Sequence, residues 1–402
     1  MPEILIKGID VAEDGLSLTI HWGNVHKRRC SSKWLRFNCM CDKCKPEFSG
    51  MYPLDRADFE DNNIIESAIV SDEELHCKIT KDVYLNHVTK ISLGYLLSNC
   101  NCDACIKNDL SKRRVVMPLP STDSVPYADY DSTLTEEGLF SFLEKFMKYG
   151  YCVVRNFPIS KENGLEFGKT FSHIRSTPYG ETFDVRSVVK PCNIAYTSVA
   201  LPCHQDLMWY ESAPGVQVLH ALRFDKEVIG GESKIVDLFG CVEILRKTEP
   251  GHFETLCRVP GGNDTIDMNR KVPLWFKNTK KHIELDYFDE IVAVNWHPSF
   301  ETTLQIKECD VDAYYRAHKA FMKIVHNAEN QFIFRMQKGD MLVMNNRRMA
   351  HAREAFTSVE DGDRNLHGYY LDMDDLKSKY MVLASKLGKV VESLKIGNRS
   401  TF

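Results

Sequence analysis

The stretch Cys203-His204-Gln205-Asp206 decides how the rest of the chain is read. His204 and Asp206 alternate along an extended segment, so both side chains point the same way. Far downstream, Met349-Ala350-His351 offers a second imidazole. Together these residues supply two imidazoles and one carboxylate to one face of a metal, with the opposite face left open. Arg364 follows in the run Arg364-Asn-Leu-His-Gly-Tyr-Tyr370, and its planar guanidinium is suited to fork onto a carboxylate.

Two histidines and one carboxylate with open positions form the donor set of non-haem Fe(II) oxygenases. A lone His-x-Asp carries little weight in a chain with 14 histidines, where its ordinary reading is a solvated turn. The ordered set carries more: His204-x-Asp206, then Gly230-Gly231-Glu232-Ser233 leading into Lys234-Ile-Val-Asp237, then His351, then Arg364. This order resembles the Fe(II)/2-oxoglutarate dioxygenases. The surrounding words resemble one branch, the γ-butyrobetaine and trimethyllysine dioxygenases of carnitine biosynthesis. They are Trp34-Leu-Arg-Phe-Asn-Cys39, Asn193-Ile-Ala-Tyr-Thr197, Pro214-Gly-Val-Gln-Val-Leu-His220 and the Gly230-Gly231 segment, and they span most of the chain.

The resemblance implies a mixed β fold with helices, in which a double-stranded β-helix (jelly roll) catalytic domain follows a small zinc-binding β-rich domain. It implies Fe(II) held by His204, Asp206 and His351, and 2-oxoglutarate as cosubstrate held by Arg364 with Ser233 as a further donor. It also implies ascorbate as reductant, O2 as the other substrate and a homodimer. The reaction would be hydroxylation of an unactivated C–H with release of succinate and CO2. The family's substrates carry a trimethylammonium group, which has no N–H to donate, so aromatic faces must hold it. The matching positions are Tyr179, Phe183, Tyr196 and Tyr370, with Phe183 where the family has Trp. Asn193 matches a position that meets the substrate carboxylate in γ-butyrobetaine enzymes, whereas the trimethyllysine branch has Asp there. Two more departures are Asn295-Trp-His297-Pro298, where the family runs Asn-Asn, and Asn345-Asn346-Arg347-Arg348, where Asp-Asn-Trp-Arg is usual. The substrate expected from Asn193 is γ-butyrobetaine, with trimethyllysine as the neighbouring alternative. A reading of another class is a non-catalytic zinc-dependent interaction module on an oxygenase-like scaffold, and the intact His/Asp/His/Arg set speaks against it.

At 402 residues the chain can bury a sizeable core, and two domains are expected. A hydrophobic content of 43%, a charged content of 27% and a net charge of −5 describe an ordinary globular protein with no nucleic-acid partner. No apolar window approaches the ~18 residues of a membrane span. The first residues resemble neither a signal peptide nor a transit peptide, so the cytoplasm is the expected location.

Of 14 cysteines, those at 30, 39, 41, 44, 77, 100, 102 and 105 crowd the first part of the chain, which reads as metal binding rather than disulfides. Cys39-Met-Cys41-Asp-Lys-Cys44 can wrap one Zn(II), and a tetrahedral site needs a fourth ligand. The resemblance assigns that place to His87. Cys100-Asn-Cys102-Asp-Ala-Cys105 repeats the spacing, and Ser98-Asn99-Cys100 echoes Phe37-Asn38-Cys39. Three readings of it stand open: a second zinc site recruiting Cys30 or Cys77, an alternative ligand set for one zinc, or reduced thiols.

Domains are expected over residues 1–110, 111–133 (a linker with prolines at 118, 120 and 126) and 134–402. Alternation over 3–22 around Asp14-Gly15 predicts a hairpin. Thr133-Leu-Thr-Glu136 predicts the capped start of an amphipathic helix ending at Gly150, before a buried strand over 151–156. Helices are expected over 161–174, 240–248 and 373–387, and in a long segment capped by Asp310. Strands are expected over 193–199, 215–223, 233–237 and 341–344.

Overall fold

The computed structural model describes residues 6–23, 26–113, 125–186, 197–357 and 364–391. The chain divides into two units, Met1–Ser111 and Lys112–Phe402. No helix among the described residues is long and apolar enough to cross a membrane.

The first unit is built twice from one plan. Strands β1 (Ile6–Val11), β2 (Ser17–Trp22) and β3 (Lys27–Ser31) form an antiparallel sheet that runs into helix α1 (Ser32–Phe37). Strands β4 (Ile65–Ser71), β5 (Glu74–Ile79) and β6 (Val88–Ser92) form another, running into α2 (Leu93–Ser98), and α3 (Asp103–Arg113) follows. Both short helices start at a serine whose hydroxyl accepts a backbone N–H: Ser31 from Trp34 and Ser92 from Tyr95. The expected β1–β2 hairpin is present, and Gly15 turns it at φ +69°, where only a glycine lets Ile64 and Ile65 approach. The halves share one core, with Leu18, Ile20, Trp22 and Leu35 packed with Leu75, Ile79, Ile91 and Leu96. Cys30 and Cys77 belong to that core, and burial pushes the Cys77 thiol up to about 12.

The second unit begins with β7 (Tyr127–Asp129), α4 (Glu136–Tyr149), β8 (Tyr151–Arg155), α5 (Lys161–Lys169) and β9 (Thr182–Val185). It continues with β10 (Leu201–His204), β11 (Val216–Phe224), β12 (Ile229–Gly230), β13 (Ser233–Asp237), α6 (Leu238–Thr248) and α7 (Pro250–Arg258). Two hairpins follow, β14 (Pro260–Asp267) with β15 (Leu274–Lys281) and β16 (Ile283–Leu285) with β17 (Ile291–Val294), and then α8 (Glu308–His326). The chain closes with β18 (Phe332–Phe334), β19 (Met341–Asn345), β20 (Met349–Arg353), β21 (Phe356–Thr357), β22 (Arg364–Leu371) and α9 (Met373–Lys386).

Its two main sheets have the strand orders β7-β8-β19-β11-β22-β9 and β10-β20-β13-β18. The chain passes back and forth between them, β9, β11, β19 and β22 falling in the larger sheet and β10, β13, β18 and β20 in the smaller. The period-2 alternation of strands sorts the side chains into layers. Leu219, Ala221, Leu342, Met344 and Leu366 face Ile235, Phe332 and Met349 between the sheets. Val216, Val218, Met341 and Val343 point the other way, against Phe140, Phe146, Leu376 and Tyr380 of α4 and α9. Behind the smaller sheet, Cys203, Val236, Ala350 and Ala352 meet Phe239, Val242 and Phe321 of α6 and α8. Each fully buried Leu, Val or Phe contributes about 1.5–3 kcal/mol relative to exposure.

Several elements depart from expectation. The end of the expected linker is β7, paired in parallel with β8, and its stretch 114–124 lies outside the described residues. The cap of α4 is Thr135, which accepts from Gly138 N–H, because Thr133 is wound into a preceding 3-10 turn. Helix α5 stops at Lys169, and Ile174 instead bridges to Leu371. Asp310 sits inside the first turn of α8, paired with Arg258, and does not cap it. Residues 197–199 form a bend rather than a strand.

Candidate active site

β10 and β20 run antiparallel with His204 directly opposite His351. Asp206 follows two residues on, and Leu207 takes a left-handed φ of 59° that turns the chain back. His204 Nε2 lies 3.3 Å from Asp206 Oδ1, and His351 Nε2 lies 3.9 Å from the same oxygen. The two imidazoles are 4.3 Å apart between centroids. His204 Nδ1 donates to the Pro202 carbonyl at 2.7 Å, which directs Nε2 toward the carboxylate and toward any ion held beside it.

The neighbours of Asp206 fix it from several sides. Tyr370 Oη donates to Oδ2 at 2.7 Å, and Gln217 Nε2 donates to the same oxygen. Asn346 accepts from the Asp206 N–H at 2.8 Å and donates to its carbonyl at 2.9 Å and to Pro214 O at 3.0 Å. Gln205, between His204 and Asp206, is tied to Trp296 twice: its side-chain oxygen accepts from the Trp296 N–H, and its own N–H donates to the Trp296 carbonyl, both at 2.8 Å. Burial alone would raise the Asp206 pKa, but the two histidines and Tyr370 hold it well below the usual carboxylate range. Burial and the neighbouring His204 push His351 down to about 4. Burial also acts to lower His204, but the adjoining Asp206 outweighs it and raises the group, an attraction for positive charge that a metal ion would satisfy in place of the proton. An ionised Asp206 beside a neutral His351 is the protonation pattern that a divalent metal needs. The altered Asn345–Arg348 run does not weaken this support: Asn346 clamps Asp206, and Arg348 Nη2 pairs with buried Asp237 at 2.6 Å.

One cavity contains His204, Asp206, His351, Ser233, Arg364, Tyr179, Phe183 and Tyr370 in its lining. At one side Arg364 is buried, and its Nε has no hydrogen-bond partner among the described residues. Burial, and then the charges of Arg353 and Arg335, push it down to about 9. Gly231, at φ +76°, makes room for its stem: a Cβ there would sit 3.3 Å from Arg364 Cδ and Nε. At another side the Phe183 and Tyr370 rings lie 5.2 Å apart, with Tyr179 6.3 Å from Phe183. Phe183 lies over Gly368, its cross-strand neighbour, where any Cβ would meet its ring at 2.5 Å. Asn193 and Tyr196 lie outside the described residues.

Other residues of the site escaped the sequence reading. His297, noted only as a departure, places its ring 4.8 Å from that of His204, and burial followed by the His204 charge holds it well below the usual range. Trp209 and Phe300 complete the lining beside it. Gln217 lies within the Pro214–His220 segment, but only the pairing of β11 with β22 shows that it faces Asp206.

The sequence profile of the taurine catabolism dioxygenase TauD, TfdA family matches residues 116–370. The chain belongs to this family. Full-length relatives point the same way. A trimethyllysine dioxygenase from Meyerozyma guilliermondii is 25% identical, with 94% of this chain and 96% of the relative covered. A γ-butyrobetaine dioxygenase from Pseudomonas sp. is 27% identical, covering 92% and 94%. Among solved structures, the non-heme iron oxygenase OrfP in complex with Fe and alpha-ketoglutaric acid aligns over 68% of this chain and 99% of that one, with 15% identity and a TM-score of 0.48.

As a TauD, TfdA family member the chain is an Fe(II)/2-oxoglutarate dioxygenase, and its residues fit both groups. His204 and His351 both bring Nε2 within 4 Å of Asp206 Oδ1, which makes a set of two imidazoles and a carboxylate, and His297 offers a further imidazole close to His204 and Asp206. Arg364 Nε, unpartnered among the described residues, is a buried donor that an anion such as the far carboxylate of 2-oxoglutarate would fit.

The first unit holds two further donor clusters. Cys39, Cys41, Cys44 and His87 converge, with His87 Nε2 at 3.6, 3.4 and 3.3 Å from the three sulfurs. A tetrahedral ion with Zn–S and Zn–N bonds near 2.3 and 2.0 Å sets its ligand atoms about 3.6 Å apart. Asp82 Oδ2 holds His87 Nδ1 at 2.9 Å and also pairs with Arg36, the carboxylate–histidine arrangement that orients metal-bound imidazoles. Of the three readings left open for the second triad, the one with a second zinc site would take a different partner. Neither Cys30 nor Cys77 joins Cys100, Cys102 and Cys105, because both thiols belong to the apolar core; the converging residue is His26.

Proposed function

We propose that the protein hydroxylates γ-butyrobetaine, with 2-oxoglutarate as cosubstrate, to give L-carnitine, succinate and CO2. One observation carries this reading. A single cavity sets the His204/Asp206/His351 donors between a buried guanidinium, its Nε unpartnered among the described residues, and a wall of aromatic rings. Iron bound there supplies the oxidising chemistry for an unactivated C–H bond, and the protein's part is position and exclusion of water. Arg364, with Ser233 nearby, orients the cosubstrate. Tyr179, Phe183 and Tyr370 face the trimethylammonium, each aromatic face contributing about 0.5–2 kcal/mol. Tyr370 has two duties, its ring toward the cavity and its hydroxyl on Asp206. The alternation of the chain between two sheets supports reading the second unit as a double-stranded β-helix. The Cys39/Cys41/Cys44/His87 cluster is assigned as a structural zinc site of the first unit.

γ-Butyrobetaine is preferred over trimethyllysine on sequence grounds: the position that meets the substrate carboxylate in γ-butyrobetaine enzymes carries Asn193, a neutral amide. Trimethyllysine, with its α-ammonium, would favour a carboxylate at that position. Trimethyllysine hydroxylation stays as the second reading, supported by the similarity to the Meyerozyma guilliermondii enzyme. Incubating the purified protein with equal amounts of both betaines and following products by mass tests the choice. Carnitine as the main product is expected, and a preference for hydroxytrimethyllysine overturns it.

A further inference from the structure

We propose that the first unit binds a second Zn(II) through His26, Cys100, Cys102 and Cys105, and that its two halves exchange histidines to complete both sites. The ligand atoms of these four side chains lie within 4.8 Å of one another. His26 Nε2 is 3.4 Å from Cys100 Sγ and 3.6 Å from Cys105 Sγ. These separations match the tetrahedral edge of about 3.6 Å that Zn–S and Zn–N bond lengths require, and three thiolates with one imidazole are soft donors that select zinc over the hard cations.

An independent observation lies in the chain itself. Every ligand of the second cluster is displaced by the same 61 positions from a ligand of the first: His26 to His87, Cys39 to Cys100, Cys41 to Cys102 and Cys44 to Cys105. The same displacement carries β3 onto β6, α1 onto α2, the capping Ser31 onto Ser92, and Leu35, Asn38 and Asp42 onto Leu96, Asn99 and Asp103. The repeat therefore preserves the histidine and all three cysteines, and the fold then crosses them. The cysteines that follow α1 meet the histidine that precedes β6, and the cysteines that follow α2 meet the histidine that precedes β3. Each ion would bridge the two halves across their common core. The sites differ in depth: three ligands of the first are buried, whereas all four of the second are partly exposed.

The second site is independent of the reaction assigned to the cavity, so its test reads metal content. Full-length protein produced with zinc, stripped of loosely held metal and analysed by elemental mass spectrometry is expected to carry two zinc ions per chain. His26→Ala and His87→Ala are each expected to carry one, and the double variant none. His26→Cys, which keeps a ligand, is expected to retain two, so the test survives if the alanine variant does not fold. A pyridylazoresorcinol challenge of the wild type is expected to release zinc in two equal steps, the partly exposed site first. A single zinc per chain in the wild type overturns the proposal. So do two zinc ions that persist in His26→Ala, since the second ion then lies elsewhere.

Discussion

His204 and His351 stand opposite each other across the antiparallel β10–β20 pair, their ring centroids 4.3 Å apart. The spacing of the two imidazoles is therefore set by strand register, and a one-residue slip would turn one of them to the far face. Asp206 has no such ladder to hold it, and its position depends on side chains from other elements.

Asn346 is the first of these. It is fully buried and makes three hydrogen bonds that hold the Asp206 backbone and Pro214. Asn346→Ala leaves buried groups unpaired at about 1–3 kcal/mol. Fe(II) affinity is expected to fall at least tenfold with the fold retained, as read by metal titration alongside circular dichroism. Unchanged iron affinity would show that Asp206 holds its place without the clamp.

Tyr370→Phe keeps the ring but deletes the donor to Asp206 Oδ2. A hydrogen bond to a charged group contributes about 1.5–3 kcal/mol. Iron binding is expected to weaken about tenfold, while the substrate KM at saturating iron changes little. A large rise in substrate KM alone would place the hydroxyl on the substrate instead.

Arg364→Lys replaces a fork with a point charge, and the 2-oxoglutarate KM is expected to rise about tenfold or more. Gly231→Ala acts on the same residue from outside, through a strained φ and a Cβ 3.3 Å from the Arg364 stem. Its cosubstrate KM is expected to rise as well. A normal KM in both variants would take Arg364 out of the cosubstrate site.

His220 gives a pH prediction away from the His204/Asp206/His351 set. Burial, and then the nearby His367, lower it to about 4 from an ordinary value near 6.5. Its folded pKa lies below its unfolded one. The penalty is absent above pH 6.5, grows as pH falls from 6.5 to 4, and is constant below. Over that window the unfolded chain takes up the proton first, and stability is expected to drop by up to about 3 kcal/mol. His220→Gln should flatten this part of a urea-denaturation pH profile, and an unchanged slope would contradict it.

The residues proposed to do chemistry stood out because the proposed chemistry restricts their type: an iron face calls for donors such as His204, Asp206 and His351, and a carboxylate clamp for a guanidinium such as Arg364. Their supports were not, because an Asn or Gln of the right kind occurs throughout the chain and only packing shows that Asn346 and Gln217 converge on Asp206. The β14–β15 ribbon went unread for a related reason. Its strands are only partly buried, and Lys, Asn and Thr dilute the apolar alternation. His26 stands beside Lys27, Arg28 and Arg29, where its residue type alone does not mark it as a metal donor, although the displacement that relates the two cysteine triads also leads to it.

The crossed histidines impose an order of events on a chain made from its N-terminus. Cys39, Cys41 and Cys44 emerge early, but His87 lies 43 residues beyond Cys44. Until that histidine leaves the ribosome the three thiols stand ready for oxidants or for a wrong metal. A chain cut short between Cys44 and His87 would keep one set of thiols without its histidine, and one histidine, His26, without its thiols.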